Sequence, residues 1–410
     1  MIRALAHQRN RFEALAPAGA SVVSRAGHIL AAFVLAGTFA LSAPASAFAE
    51  VFESDEIGNK TVAARGLSTD ACPDIEATHA MLVGSDGTVY FSRDVNAEVK
   101  IASLTKIMTA VVALENAPLD LTVTVDNEAA TVGESSAGLL EGDTMSLETA
   151  LYALMVPSGN DAGIAIAKSV GAHMSGDAAT GYDTFIAAMN AKAADLGMSH
   201  SVYTNPHGLD FDAFGDENLH SSARDVATLV SYAMQNDTFR GIVDAGSTTI
   251  TVTSADGTAR NVALQTTDEL MGVYDGICGV KTGTTDDAGY CFAGAVSRDA
   301  GELYSVVLDS PSSDERFSDT VALMDWAYAN IAQRSLVNSD QYVEYLGAHV
   351  PLVAKVAHND WVDVAVDATV ADSDLAANVF AAFGPVQAKA TFNELSGDVH
   401  AGDVLSLIHI

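Results

Sequence analysis

The sequence is short of basic residues, of cysteine and of long apolar runs, and each shortage closes off a class of function. Lys and Arg together number 20 against 53 Asp and Glu, a formal net charge of −33. A chain this acidic repels nucleic acid and anionic membrane surfaces, so neither is an expected partner. Only three cysteines occur, Cys72, Cys278 and Cys291, and their spacing forms no zinc-type cluster, so no metal is expected. Cys278 and Cys291 flank a candidate hairpin turn. Two readings stay open for them, a bridge across two strands or two small buried side chains. The apolar run Ile29 to Leu41 falls short of the roughly 20 residues that a membrane span requires.

What is present is globular. The chain has 410 residues, 49% apolar and 18% charged, enough for two or more domains with ample core. Residues 1–49 read as an export signal. Arg3, Arg9, Arg11 and Arg25 precede the short apolar run, and Ala45-Ser46-Ala47 and Ala47-Phe48-Ala49 are small-x-small cleavage sites. No arginine pair suggests a twin-arginine route, and no cysteine near the cleavage site invites lipid attachment. The mature protein is therefore expected outside the cytoplasmic membrane. Residues 50–76 are polar and mixed and read as a linker. From His79, alternating residues around Ser85-Asp86-Gly87 predict a hairpin.

A buried helix is predicted next, and it carries Ser103 and Lys106 three residues apart. Leu104, Ile107, Met108, Ala110, Val111, Val112 and Leu114 leave it almost no polar face. Residues i and i+3 share a helix face, so hydroxyl and amine meet there. Burial lowers a lysine pKa, and a neutral lysine beside a hydroxyl makes serine a nucleophile. If Ser103 opens the helix, the N-terminal dipole favours negative charge developing there.

Two further motifs follow. Residues 119–145 are rich in Thr, Asp, Glu and Gly and predict loops and short strands. Ser146 starts a helix that Pro157 ends. Ser158-Gly159-Asn160 then lies between two apolar segments, with Asp161 as expected N-cap of the second. A helix over about Tyr182 to Leu196, a turn-rich loop holding His207, and a helix capped near Ser221 come next. In Gly279-Val280-Lys281-Thr282-Gly283, a strand leads in and Gly289 to Val296 leads out, an antiparallel hairpin. Gly283 removes a side chain where a ligand backbone would approach closely. Lys281 and Thr282 offer a cation and a hydroxyl to a carboxylate. A strand over Leu303 to Leu308 precedes Arg316 and a last helix, Thr320 to Ile331.

Ser103-Leu-Thr-Lys106, Ser158-Gly-Asn160 and Lys281-Thr-Gly283, in that order, form a specific signature. On these residues the sequence resembles the serine D-alanyl-D-alanine carboxypeptidases, the low-molecular-weight penicillin-binding proteins. The flanking Asn205-Pro-His-Gly-Leu209 and Ser222-Ala-Arg-Asp225 agree. The resemblance covers residues 77–335, taken as the catalytic domain. It implies a mixed α/β fold of the beta-lactamase/transpeptidase type, an antiparallel sheet flanked by helices with an all-helical lobe across the cleft. It further implies Ser103 as nucleophile, Lys106 as base and Ser158 as proton relay. Asn160, Lys281, Thr282, Gly283, Thr284 and Arg316 would bind substrate, with the Ser103 and Thr284 N–H groups as oxyanion hole. Substrates would be peptidoglycan stem peptides, beta-lactams would inhibit, and no cofactor would be required. D,D-endopeptidase activity is one alternative, and a non-catalytic wall-binding protein another. Beta-lactamase action is disfavoured, since only Glu217 and Glu269 lie between the second and third motifs and neither stands in a deacylating arrangement.

Residues 340–404 alternate like short strands and predict a small, truncated all-β domain. No tail that would tie the protein to a membrane is visible. Leu405-Ser-Leu-Ile-His-Ile410 matches the translation of the transposon-end adaptor CTGTCTCTTATACACATC. The reading frame is expected to have run into adaptor sequence near Val404. Residues 405–410 are therefore set aside, and a membrane tail would be encoded by the uninterrupted frame.

Overall fold

The computed structural model describes residues 53–211 and 218–337, and then 342–345, 348–351, 353–360, 363–369, 375–383, 389–392 and 404–409. The export signal over 1–49 and Glu217 lie outside these residues.

In chain order the described residues begin with β1 (Glu56–Ile57), β2 (Lys60–Thr61) and α1 (Val62–Arg65), followed by β3 (His79–Gly84) and β4 (Val89–Arg93). A single 3-10 turn, Ala102–Leu104, leads into α2 (Thr105–Asn116). Next come β5 (Thr122–Thr124), α3 (Asn127–Thr131), β6 (Thr144–Ser146), α4 (Leu147–Met155), α5 (Asn160–Ser175) and α6 (Gly181–Asp195). After α7 (Ala223–Ala233) and α8 (Asp237–Val243) lie β7 (Thr248–Thr253) and β8 (Ala259–Leu264). The hairpin β9 (Ile277–Thr285) and β10 (Gly289–Arg298), then β11 (Gly301–Ser310) and α9 (Ser313–Asn330), follow.

The main sheet is antiparallel, in the order β2-β1-β4-β3-β11-β10-β9. Its two faces belong to different cores. Met81, Val83, Ala293, Ala295 and Val306 face α7, which lies on β3, β10 and β11, and share one core with α2, α4, α5 and α6 behind it. Ala80, Leu82, Phe292, Val307 and Phe317 pack with α9 on the other side. A strand covered on both faces needs no polar alternation, which is why β3 is buried at every position. β9 is an edge strand, so one rail of its backbone groups has no strand partner. That rail faces the Ala102–Leu104 turn, which packs against β9. A second sheet, β5-β6-β7-β8, backs the helical side.

Several expectations are corrected. The segment read as a linker over 50–76 is largely structural. β1 pairs with β4, and Ile57 and Ile75 are fully buried. Two-residue strands leave too little periodicity to detect. Residues 127–131 form α3, capped by Asp126, in a stretch expected to hold only loops and strands. The last helix starts at Ser313, with Ser312 accepting from the Glu315 N–H, so Arg316 lies in its first turn. Cys278 and Cys291 are both free. The register opposes Cys291 to Gly283, far along β9 from Cys278, and so rules out the bridge.

The C-terminal stretch is β-rich, as expected. β12 (Ile331–Val337) pairs with β17 (Leu375–Phe380), and β13 (Tyr342–Tyr345) with β14 (Ala348–Pro351). β15 (Val353–Asp360), β16 (Asp363–Thr369), β19 (Val404–His409) and β18 (Lys389–Phe392) form a four-stranded antiparallel sheet, in which β19 is made almost entirely of the residues set aside above. Phe380 is buried against Tyr90 and Trp326, with ring centroids 4.7 and 5.1 Å away.

Candidate active site

The first wall of the site is helical. Ser103 lies in the 3-10 turn just ahead of α2 rather than inside the helix. Ala102 before it is held at φ +46°, a left-handed conformation that is strained for a residue with a side chain. Lys106, in the first turn of α2, is completely buried. Its Nζ donates to Ser103 Oγ at 2.8 Å, to Asn160 Oδ1 at 2.7 Å and to the His207 carbonyl at 2.7 Å. Burial pushes this amine well below the ordinary lysine range. The nearby Lys281 charge pushes it further, and Asp161 partly offsets both. A neutral amine has two N–H groups and one lone pair. In that form the Asn160 and His207 oxygens would take the two N–H groups and the contact with Ser103 would reverse, the hydroxyl donating to the lone pair.

Each partner of Lys106 is itself held. Asn160 begins α5, donates its Nδ2 to the Gly133 carbonyl and its backbone N–H to the Ser135 carbonyl. The His207 carbonyl is presented by a loop that Asn205 ties together. Asn205 Oδ1 accepts from the His207 and Gly208 N–H groups and its Nδ2 donates to the Leu209 carbonyl. Gly208 has φ +90°, and a Cβ there would stand 1.9 Å from the Ala102 carbonyl oxygen. The loop thus packs directly on the Ser103 turn. The His207 ring is buried, its Nδ1 accepts from the Leu209 N–H, and burial pushes its pKa down to about 3. It is a neutral structural ring whose backbone, not its side chain, reaches the site.

Ser158 sits between α4 and α5, buried and at φ +64°. Asp161 is not the N-cap of α5, which begins one residue earlier with Gly159 as cap. Its carboxylate turns instead to the neighbouring loop, accepting from Ser136 Oγ and from the Ala137 and Leu139 N–H groups.

The second wall is β9. Lys281 is 2% exposed, and Nζ donates to the Thr282 carbonyl at 3.0 Å. Burial lowers its pKa to about 7, with Arg316 adding to the fall and Asp268 opposing it. Thr282 Oγ1 shares a 2.6 Å hydrogen bond with Thr267 Oγ1. Gly283 lies against the Ser103 turn: a Cβ there would stand 2.8 Å from the Ile101 carbonyl and 3.3 Å from the Ser103 nitrogen. Arg316 donates to the Gly283 carbonyl at 3.3 Å and to Thr284 Oγ1 at 2.9 Å. α9 therefore brings its guanidinium to the end of the Lys281-Thr-Gly283 strand. Thr284 is exposed and Ser103 half-buried, so they lie at the mouth of an otherwise buried polar cluster.

The structure thus gathers Ser103, Lys106 and Asn160 on one wall, with Gly283 against them and Lys281, Thr282, Thr284 and Arg316 along the other. Sequence reasoning missed the His207 carbonyl, Asp161's loop contacts and the Thr267–Asp268 segment. A backbone acceptor has no residue-type signature, although the glycine after His207 marks a close approach.

The sequence model of the D-alanyl-D-alanine carboxypeptidase family matches residues 67–312. A D-alanyl-D-alanine carboxypeptidase from a Streptomyces species is 33% identical over 250 residues, covering 59% of this chain and 84% of that protein. A D-alanyl-D-alanine endopeptidase of Escherichia coli is 29% identical over 308 residues, covering 73% and 92%. The crystal structure of the Streptomyces K15 DD-transpeptidase superposes with a TM-score of 0.58 at 31% identity, covering 63% of this chain and 98% of that one.

Proposed function

The chain belongs to the D-alanyl-D-alanine carboxypeptidase family of serine hydrolases, and from that premise we propose that it removes the terminal D-alanine of peptidoglycan stem peptides through an acyl-enzyme on Ser103. The observation that carries this reading is the buried Lys106 amine, bonded at once to Ser103, Asn160 and the His207 carbonyl.

Neutral Lys106 takes the Ser103 proton as Oγ attacks the carbonyl carbon of the D-Ala-D-Ala bond. The α2 N-terminus favours the charge that develops. The backbone N–H groups of Ser103 and Thr284 hold the oxyanion. Lys281 and Arg316 supply positive potential and Thr282 a hydroxyl for the terminal carboxylate. Ser158 passes the proton to the leaving amine. Gly283 admits the Ser103 turn beside β9, and the substrate backbone lies along the strand edge next to it. Asn160 orients Lys106 and faces the substrate amide. Water then releases the shortened peptide. A beta-lactam offers the same carbonyl beside a carboxylate and acylates Ser103.

The test is D-alanine release from a muropeptide ending in D-Ala-D-Ala, with a labelled penicillin as second channel. One D-alanine per peptide, lost in Ser103→Ala and blocked by penicillin, is the expected result. Penicillin labelling without D-alanine release would favour the endopeptidase or transpeptidase activities named for the relatives. Rapid penicillin turnover would make it a beta-lactamase.

Residues 1–49 export the enzyme to the wall, and amino-terminal sequencing of secreted protein should begin at Glu50. Among the described residues no helix is long and apolar enough to cross a membrane. A tail after Val404 would supply membrane attachment, and resequencing the locus tests for one.

A further inference from the structure

Between β8 and β9 the chain makes an excursion that touches both walls of the site. The Thr267 N–H donates to the Val156 carbonyl, at the end of α4, and the Thr267 hydroxyl bonds that of Thr282. Asp268 follows and is only 7% exposed. Oδ1 accepts from the Leu270 N–H at 2.9 Å, and the Asp268 N–H donates to Thr266 Oγ1. Oδ2 is buried and has no hydrogen-bond partner among the described residues.

A buried carboxylate oxygen without a partner is costly. Two cations face it. Burial raises its pKa to about 6, against the backbone N–H groups of Leu270 and Met271 and, after them, the charges of Lys281 on β9 and Arg316 on α9, all of which favour its charged form. Among the described residues neither cation forms a direct ion pair with it. The separation is informative. A direct pair would occupy the N–H groups of Lys281 that a substrate carboxylate must use. A carboxylate set back leaves them open and still supplies negative potential in a poorly screened interior.

We infer that Asp268 is a positioning residue for the reaction: it keeps the Lys281 ammonium charged in the empty cleft without blocking it. This rests on the reading of Lys281 as a contact of the substrate carboxylate. The other charges around the pair are fixed by neighbouring elements. Arg316 on α9 disfavours the Lys281 charge, and Lys281 in turn disfavours the charge of Lys106 on α2. Among the described residues, Cys278 on β9, Cys291 and Tyr290 on β10 and Glu269 beside Asp268 are further titratable groups around the pair. Among them Asp268 is the carboxylate that acts on Lys281. Because Lys106 and Lys281 titrate together, the displacement of a pH limb, not its absolute position, is the readout.

The experiment measures the second-order rate of acylation by a chromogenic penicillin from pH 5 to pH 9 in the parent, Asp268→Asn and Asp268→Glu, and in Lys281→Arg with and without Asp268→Asn. A lysine loses its charge as pH rises through its pKa. Removing the Asp268 charge should therefore move the alkaline limb of the Asp268→Asn variant to lower pH. A displacement of one unit lowers the rate about tenfold on that limb and leaves the acid side near the parent. Asp268→Glu should restore the limb. In the Lys281→Arg background the displacement should vanish, because arginine does not titrate there. An unmoved limb, a uniform loss at every pH, or an equal displacement in the Lys281→Arg background would overturn the inference. Should Asp268→Asn fail to fold, Asp268→Ser carries the same comparison. If Lys281→Gln acylates at the parental rate throughout, the reading of Lys281 itself is what fails.

Discussion

The two buried lysines, one on each wall, have the same side chain and nearly the same exposure, and the proposed reaction asks opposite things of them. Lys106 has to give up its proton, and Lys281 has to keep one. Burial lowers both, so burial alone does not separate them. Their partners do. Lys106 is surrounded by three oxygens at 2.7–2.8 Å, one of them the nucleophile it would deprotonate. Lys281 has one backbone acceptor and otherwise stands in the fields of Arg316 and Asp268. One wall works by contact and strain, with Ala102 and Ser158 held at positive φ. The other is the Lys281–Thr284 stretch of β9, which works by potential along an edge that no strand covers.

The sharpest way to break this contrast is to put arginine at each position. Arginine keeps a cation but cannot act as a base. Lys106→Arg should lower penicillin acylation by about 10³-fold or more, since it removes the general base outright. Lys281→Arg should retain most of its rate below neutrality, within about tenfold of the parent, because a charge is all that is asked of it. Equal losses in the two variants would erase the distinction between base and field.

Glycine separates the walls by a different readout. Gly208→Ala places a Cβ into the Ala102 carbonyl at a positive φ, so its first effect should be on folding, about 2–4 kcal/mol in urea unfolding. Gly283→Ala is less crowded and lies at an ordinary strand φ, but its Cβ would stand 2.8 Å from the Ile101 carbonyl and 3.3 Å from the Ser103 nitrogen. It should cost less stability than Gly208→Ala, about 1–2 kcal/mol, and lower acylation roughly tenfold to a hundredfold by shifting the Ser103 turn. Reversal of these two patterns would mean the walls had been assigned the wrong jobs.

The same contrast explains what was legible in the sequence. Ser103 and Lys106 lie one helical turn apart, so their meeting follows from local geometry alone. Lys281, Thr282 and Gly283 lie on one strand and were equally readable. The sites that escaped are long-range or made by backbone. The third partner of Lys106 is a carbonyl that any residue at 207 could supply, and only the fold brings it across 101 positions. Asp161 looked like a cap because it stands at a helix start, but a loop 22 to 25 residues earlier captured its carboxylate. Cys278 and Cys291 flank a turn, yet pairing depends on register, which places Cys291 opposite Gly283.

The smallest effect sets the two walls against each other in stability. His207 lies behind Lys106, and Asp268 behind Lys281. The folded His207 pKa is depressed to about 3 from 6.5, so between those values the unfolded chain binds a proton that the folded one does not. Stability from this group falls as pH drops. The folded Asp268 pKa is raised to about 6 from 3.8, so there the folded chain holds the extra proton, and stability from this group rises as pH drops. Between about pH 4 and 5.5 the two slopes oppose and largely cancel in the parent. Asp268→Asn should unmask the His207 slope, losing up to about 1.4 kcal/mol per pH unit relative to the parent as pH falls. His207→Asn should do the reverse and gain stability relative to the parent over the same interval. Urea unfolding at three pH values reads both differences, and because each is taken against the parent, the exposed carboxylates common to all three proteins drop out. Parallel profiles would mean that one of the two groups is not buried as described. Two slopes of the same sign would mean that Asp268 is charged in the fold at every pH tested, and that the field of Lys281 and Arg316 overrides its burial.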